Sequence, residues 1–194
     1  SDYPGSLEVV VVDDGSRDGT AERVAAAAAA DPRLRLVRQP NRGKAAALSA
    51  GLATLTHEVV VTLDADTLFA PETIGRLVAP LADPRVGAVS GHAKVGNPRT
   101  FIARCQELEY ICGFNLDRRA FHRLNAITVV PGAVCALRRR AVVEAGGIRA
   151  DTLAEDTDLT LNLHRRGWRV AYAPQAAAWT EAPESIPALL RQRF

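Results

Sequence analysis

Two carboxylates two residues apart, Asp64 and Asp66, follow the apolar run 59–63, so one strand end projects both into the same space. Close carboxylates repel and need a counter-charge. A hard divalent cation with oxygen ligands supplies it, and Mg²⁺ keeps waters and substrate phosphates in its remaining positions. The chemistry to expect is a cation holding a diphosphate, although a capped turn ahead of a helix at Pro71 would use the same residues. Asp13-Asp14-Gly15-Ser16 is a second acidic strand tip. It can accept a hydrogen bond from a base N–H or a sugar hydroxyl, or simply form an Asp-Gly turn. Glu155, Asp156 and Asp158 open an expected helix, where the dipole favours acids. Their functional reading is a general base that takes a proton from an acceptor hydroxyl. Lys44, with Lys94 one of only two lysines, follows Gly43 at a helix start and can neutralise phosphate, although the spacing G-x-x-x-x-G-K is absent. His57, His92, His122 and His164 share no ligand spacing, and Cys105, Cys112 and Cys135 form no C-x-x-C pair.

The elements that must position these groups are read from pattern. Residues 7–12 form a β-branched run ending at the first acidic tip, and the Ala-rich stretch 20–30 is a helix that Asp18 can cap and Asp31-Pro32 ends. Strands are expected at 34–37 and 58–63 and helices at 44–54 and 71–81, the last with Pro71 as its first residue. Three strand-then-helix units argue for an α/β protein with a parallel sheet covered on both faces. A strand is expected at 86–90. From 99 to 124, Phe101, Ile102, Cys105, Leu108, Ile111, Cys112, Leu116 and Phe121 recur at helical spacing, in a helix bent at Gly113. Tyr110, Phe114 and Phe121 on it are read as core. Extended pieces at 127–130 and 134–137 flank Pro131-Gly132, and a helix at 139–145 closes at Gly146-Gly147. A helix at 155–166 ends at Gly167, strands at 168–173 and 176–180 are split by Pro174, and a last helix begins at 186 and runs to Phe194.

The chain of 194 residues is 47% hydrophobic and 24% charged, which fits one ordinary globular domain and excludes extensive disorder. A net charge of +2 and only 5% aromatic residues argue against nucleic acid as a ligand. No apolar run approaches the ~20 residues of a membrane-spanning helix, and no secretory signal opens the chain.

The motifs in order, Val12-Asp13-Asp14-Gly15-Ser16, Asn41-Arg42-Gly43-Lys44, Asp64-Ala65-Asp66, Pro131-Gly132-Ala133, Ala154-Glu155-Asp156-Thr157-Asp158 and Gln192-Arg193, resemble the catalytic domain of processive family-2 glycosyltransferases. The resemblance is to the bacterial poly-N-acetylglucosamine, chitin, hyaluronan and cellulose synthases, with the glucosamine-polymer branch nearest. It implies a Rossmann-like GT-A fold, a mixed, mainly parallel sheet flanked by helices, binding a UDP-sugar, best matched by UDP-N-acetylglucosamine, with Mg²⁺ or Mn²⁺. By that resemblance Asp14 contacts the uracil with Asp13 beside it, Lys44 lies near the donor, Asp64 faces ribose and diphosphate, and Asp66 ligates the metal. Asp156 is then the general base of an inverting transfer to a polysaccharide acceptor, and Glu155 supports it. Gln192 and Arg193 open a Gln-x-x-Arg-Trp element that closes over the donor.

The resemblance also implies a single domain over 1–194, with a nucleotide-sugar half at 1–90 and an acceptor half at 91–194. It places a further central strand ahead of residue 1 and an Arg-Trp after residue 194, so that the domain is truncated at both ends. Transmembrane helices are expected to flank it at the cytoplasmic membrane face, the fragment itself being soluble. Two alternatives remain open at this point. Asp64-Ala65-Asp66-Thr67 after an apolar strand also fits the nucleophile motif of haloacid-dehalogenase phosphatases, with Lys94 the candidate lysine. A UDP-binding but inactive module is the other.

Overall fold

A computed structural model describes residues 1–149 and 154–193, without the side chains of Phe114, Gln192 and Arg193; the expected helix end at Phe194 lies outside the described residues. The chain begins with β1 (Val9–Asp13), α1 (Thr20–Ala30), β2 (Leu34–Arg38), α2 (Lys44–Thr54) and β3 (Val59–Leu63). After β4 (Leu68–Phe69) come α3 (Thr73–Val78), a 3₁₀ turn (Ala79–Ala82) and the long β5 (Val86–Val95). Next are α4 (Phe101–Ile111), a π-helical segment (Cys112–Leu116), α5 (Asp117–Leu124), β6 (Val134–Arg138) and α6 (Arg139–Glu144). The chain closes with α7 (Glu155–Arg165), β7 (Arg169–Thr180) and α8 (Ile186–Arg193).

Parallel β1 and β2 form one sheet, and the order β3-β6-β5-β7-β4 forms the other. In the second, β3, β5 and β7 share a direction, while β6 and β4 run against their neighbours. The sheet is thus mixed, as the GT-A resemblance implies, and the strand–helix units of the first half alone would not have given its antiparallel members. The chain returns through β6 between β3 and β5, a long-range pairing that local strand–helix alternation does not encode. The sheet is buried on both faces, and period-two alternation sorts its side chains. Cys135, Leu137, Val170 and Tyr172 face α6 and α7, while Val134, Ala136, Ala171 and Ala173 face Leu77 and Leu81 of α3 and the 3₁₀ turn.

Among the described residues β1 pairs only with β2, and β3 only with β6. Their free edges face each other across a cavity of about 760 Å³, covered by Leu48 and Leu52 of α2 and by Ile74 and Val78 of α3. It ends at Lys44 and Asp64, where the acidic strand tips lie.

Several local expectations are corrected. The strand expected at 86–90 continues to Val95, and the two strands expected either side of Pro174 are one. Residues 173–176 bulge opposite Gly91, since Ser90 pairs with Tyr172 and His92 with Ala177, so Pro174 breaks no ladder bond. A Cβ on Gly91 would lie 2.5 Å from Val134 Cγ2 and 2.9 Å from the Ala176 oxygen. The helix expected at 71–81 tightens into the 3₁₀ turn at Pro80, which lacks an N–H. No strand forms at 127–130; Ile127 and Val130 are buried in a loop. Gly19, with φ +79°, rather than Asp18 takes the α1 cap position, and Asp18 bonds Thr20 instead. The core expected of the stripe over 99–124 is corrected, since Phe101, Leu108, Leu116 and Phe121 are exposed; Tyr110 packs against buried clusters, and the Phe114 side chain lies outside what the structure describes.

Candidate functional site

The carboxyl ends of β1 and β3, the loop before β6 and the first turn of α7 meet on one side of the sheets. At the end of β1, Asp14 organises the segment leading into α2. Its Oδ1 accepts from Gln39 Nε2 at 2.7 Å and the Arg42 N–H at 2.9 Å, and its Oδ2 accepts from the Gly43 N–H at 2.8 Å. These bonds, Gln39 first, hold the carboxyl below its usual range. Gly43, at φ +87°, adopts a backbone that side chains rarely take, which turns its N–H onto Asp14 and starts α2 at Lys44. Asp13 is buried, and its Oδ1 accepts from the Ser16 N–H at 2.9 Å. Both carboxylates therefore shape the loops beyond β1, and both oxygens of Asp14 are already bonded within the protein.

Lys44 reaches from the first turn of α2 to Asp64 at the end of β3, its Nζ 2.8 Å from Oδ1 and 2.9 Å from Oδ2. Burial opposes the ammonium, but Asp64, with Asp156 and Glu155 beyond it, carries its pKa above the ordinary value. Asp66 takes a different course: its Oδ1 accepts from the hydroxyls of Thr67 and Thr180, each at 3.2 Å, which ties the acidic turn to the end of β7. Among the described residues no group of three or more His, Cys, Asp or Glu side chains is placed to hold an ion. The donor set offers carboxylates at Asp64 and Asp66 and leaves the other positions to water and phosphate oxygens, a pattern suited to Mg²⁺ or Mn²⁺ with a diphosphate.

Asp156 stands in the first turn of α7. Its Oδ2 accepts from the Gly132 N–H at 3.1 Å. Burial pushes its pKa up, and neighbouring Glu155 and Asp64 push the same way, against the Gly132 N–H and Lys44. An acid displaced upward beside a paired lysine is suited to taking a proton. Glu155 is half-buried beside it. Cys135 lies below the site with its thiol pushed up to about 12 by burial, which makes it a poor nucleophile.

The structure thus brings together Lys44, Asp64 and Asp156, with Asp66 and Asp14 on adjoining turns. Gln192 and Arg193 lie in α8, with side chains outside the described residues. Sequence reasoning missed Thr62, Thr67, Thr160 and Thr180, buried hydroxyls that hold the site from beneath. Their signal was a threonine in an apolar strand, on a core-facing helix position or, for Thr67, just after the acidic turn, which is also an ordinary β-branched filler.

A family model described as "Glycosyltransferase like family 2" matches residues 1–194. A poly-beta-1,6-N-acetyl-D-glucosamine synthase from Staphylococcus aureus (strain COL) is 30% identical over 187 residues, covering 96% of this chain and 45% of the relative. An N-acetylglucosaminyltransferase from Rhizobium meliloti (strain 1021) is 33% identical, covering 100% of this chain and 48% of the relative. The solved mannosyltransferase PcManGT from Pyrobaculum calidifontis, in complex with GDP-Man and Mn²⁺, superposes with a TM-score of 0.79 at 34% identity, covering 96% of this chain and 51% of that one. The chain spans about half the length of these relatives.

Proposed function

Because the chain belongs to glycosyltransferase-like family 2, we propose that it transfers N-acetylglucosamine from UDP-N-acetylglucosamine to the end of a growing β-linked polysaccharide, with inversion. The observation that carries this is Asp156, a carboxylate raised by burial and held by the Gly132 N–H in the same crevice as the Lys44–Asp64 pair. The choice of sugar draws on the two relatives named for N-acetylglucosamine. The solved mannosyltransferase holds GDP-Man, so this fold also serves other nucleotides, and base selection falls to the loops that Asp13 and Asp14 shape.

In this reading residues 1–90 bind the donor and 91–194 the acceptor. Asp14, with Asp13 beside it, contacts the uracil while shaping the 39–43 segment, Lys44 lies near the donor, and Asp64 faces ribose and diphosphate. Asp66, with Asp64 beside it, would hold Mg²⁺ or Mn²⁺, whose chemistry is to neutralise charge on the departing diphosphate. Asp156 accepts the proton of the acceptor hydroxyl as its oxygen bonds to the anomeric carbon, and the bond from that carbon to the diphosphate oxygen breaks, releasing UDP. Glu155 keeps the first turn of α7 acidic, and Gln192 and Arg193 close over the donor. The whole protein works at the cytoplasmic membrane face with flanking transmembrane helices. Among the described residues no helix is long and apolar enough to cross a membrane. The family match sets the phosphatase alternative aside.

The test measures UDP release and oligosaccharide elongation from UDP-N-acetylglucosamine, with calorimetry of UDP in Mn²⁺. Asp156→Asn should lower turnover on the order of 10²- to 10⁴-fold and leave UDP binding intact. Asp66→Asn should abolish the metal-dependent part of binding. Full turnover in Asp156→Asn, or hydrolysis of a phosphate ester without acceptor, would overturn the reading; UDP binding indifferent to Asp156 and without turnover in the unmodified protein would leave a binding module.

A further inference from the structure

We propose that Gly132 is a positioning residue for the transfer, locked by two buried threonines so that its N–H fixes one oxygen of Asp156 while its missing side chain leaves the other oxygen open. The inference rests on the proposed role of Asp156 as base and says what makes that base competent.

The loop ahead of β6 is pinned from two directions. On the β3 side, Thr62 Oγ1 donates to the Gly132 carbonyl at 2.7 Å, from a side chain that is buried in the sheet. On the α7 side, the Val130 N–H donates to Thr160 Oγ1 at 3.0 Å, and that hydroxyl donates to the Asp156 carbonyl at 2.6 Å. Thr160 is fully buried at 0% exposure, so no water competes for these bonds. The two hydroxyls therefore fix the loop relative to both the donor-side strand and the base helix. Between them the Gly132 N–H meets Asp156 Oδ2.

The absent side chain matters separately. A Cβ on Gly132 would lie 3.4 Å from Lys44 Nζ and Cε and 3.5 Å from Asp156 Oδ1. Those are ordinary contacts, so a methyl group fits without forcing the fold. It would nevertheless stand in the gap between the lysine and the carboxylate oxygen that carries no hydrogen bond among the described residues, where an acceptor hydroxyl has to arrive. Gly132 has no positive φ, so backbone freedom is not what selects glycine here. Oδ1 is accordingly the oxygen assigned to take the proton, since Oδ2 is spent on the loop.

Three variants of the whole chain test this: Gly132→Ala, Thr160→Val and Thr160→Ser. Each is read by kcat and KM for UDP-N-acetylglucosamine, by UDP–Mn²⁺ calorimetry, and by NMR titration of the Asp156 carboxyl carbon, which needs no turnover. Gly132→Ala should lower kcat on the order of 10- to 100-fold with UDP binding unchanged, the cost of misplacing a reacting group. Thr160→Val should lower kcat similarly and move the Asp156 titration upward, because the N–H that favours the carboxylate is no longer aligned. Thr160→Ser, which keeps the hydroxyl, should restore both. An Asp156 titration identical in the unmodified protein and Thr160→Val, or a serine variant that fails to rescue a folded protein, overturns the proposal. Absence of transfer by the unmodified protein defeats the proposed function, while the titration still decides the positioning role.

Discussion

Replacing Lys44 by Met keeps the stem in place and removes the charge between Asp64 and Asp156. Lys44 Nζ and Asp156 Oδ1 lie 3.4 and 3.5 Å from the same point beside Gly132, so they are no more than about 7 Å apart. At that separation a unit pair is worth about 0.6 kcal/mol in bulk water and about 2.4 kcal/mol at an effective dielectric of about 20. The Lys44 side chain is 46% exposed, which places the interaction toward the weaker limit, about 1 kcal/mol. One pKa unit corresponds to about 1.4 kcal/mol, so the substitution should raise the Asp156 pKa by roughly half to one unit. The base acts only when ionised. The acid limb of kcat, measured at saturating UDP-sugar, should therefore move to higher pH by that amount. A limb that stays in place or moves to lower pH refutes the electrostatic argument. A uniform loss of rate with an unmoved limb confines Lys44 to donor binding.

Other outcomes follow from the packing and the surface. Leu137→Ala opens a cavity in a cluster where the side chain is 2% exposed and should cost about 2–5 kcal/mol, read from urea unfolding. Asp83 sits at about 2 through its bond to Arg85, below its ordinary 3.8, so its stabilisation is complete above the unfolded pKa and is lost as pH falls toward the folded value; Asp83→Asn should flatten the acid side of the melting-temperature curve. An extended apolar segment fused ahead of Ser1 or added as a peptide should pair the facing edges of β1 and β3 and raise the melting temperature. An unchanged melting temperature would show that the cavity between them does not take a strand.

The elements were legible wherever a pattern is local. The apolar runs at β1, β2 and β3 end in turns, and Ala-rich α1 and Gly-closed α6 and α7 carry their own start and stop signals. What escaped was non-local. The antiparallel return of β6 depends on β3 partners 71–79 residues away, pairing Val134 with Leu63 at one end and Arg138 with Val59 at the other. Pro174 reads as a break in isolation and becomes harmless because it lies in the bulge of β7 opposite Gly91, outside the paired register. The exposed stripe on α4 and α5 has core-like spacing, since helical periodicity reports that a face is apolar and not what covers it.

The candidate site divides along the same line. Carboxylates at strand tips announce themselves, because charge placed after an apolar run needs a partner, and Lys44 stood out as one of two lysines in a chain rich in arginine. Asp14 illustrates the limit. A strand-end acid suggests contact with a base, and the three hydrogen bonds it accepts from residues 39–43 add a loop-building role that the motif alone does not carry. Neutral groups carry no such signal. Thr62, Thr160 and Gly132 look like a strand filler, a helix filler and a turn, and nothing in their types distinguishes them until β3, α7 and the loop before β6 are in contact. Yet they decide how Asp156 is held, because a buried carboxylate takes its orientation from the few donors that can reach it. Charged residues of such a site are therefore found from sequence, while the groups that aim them are found from the fold.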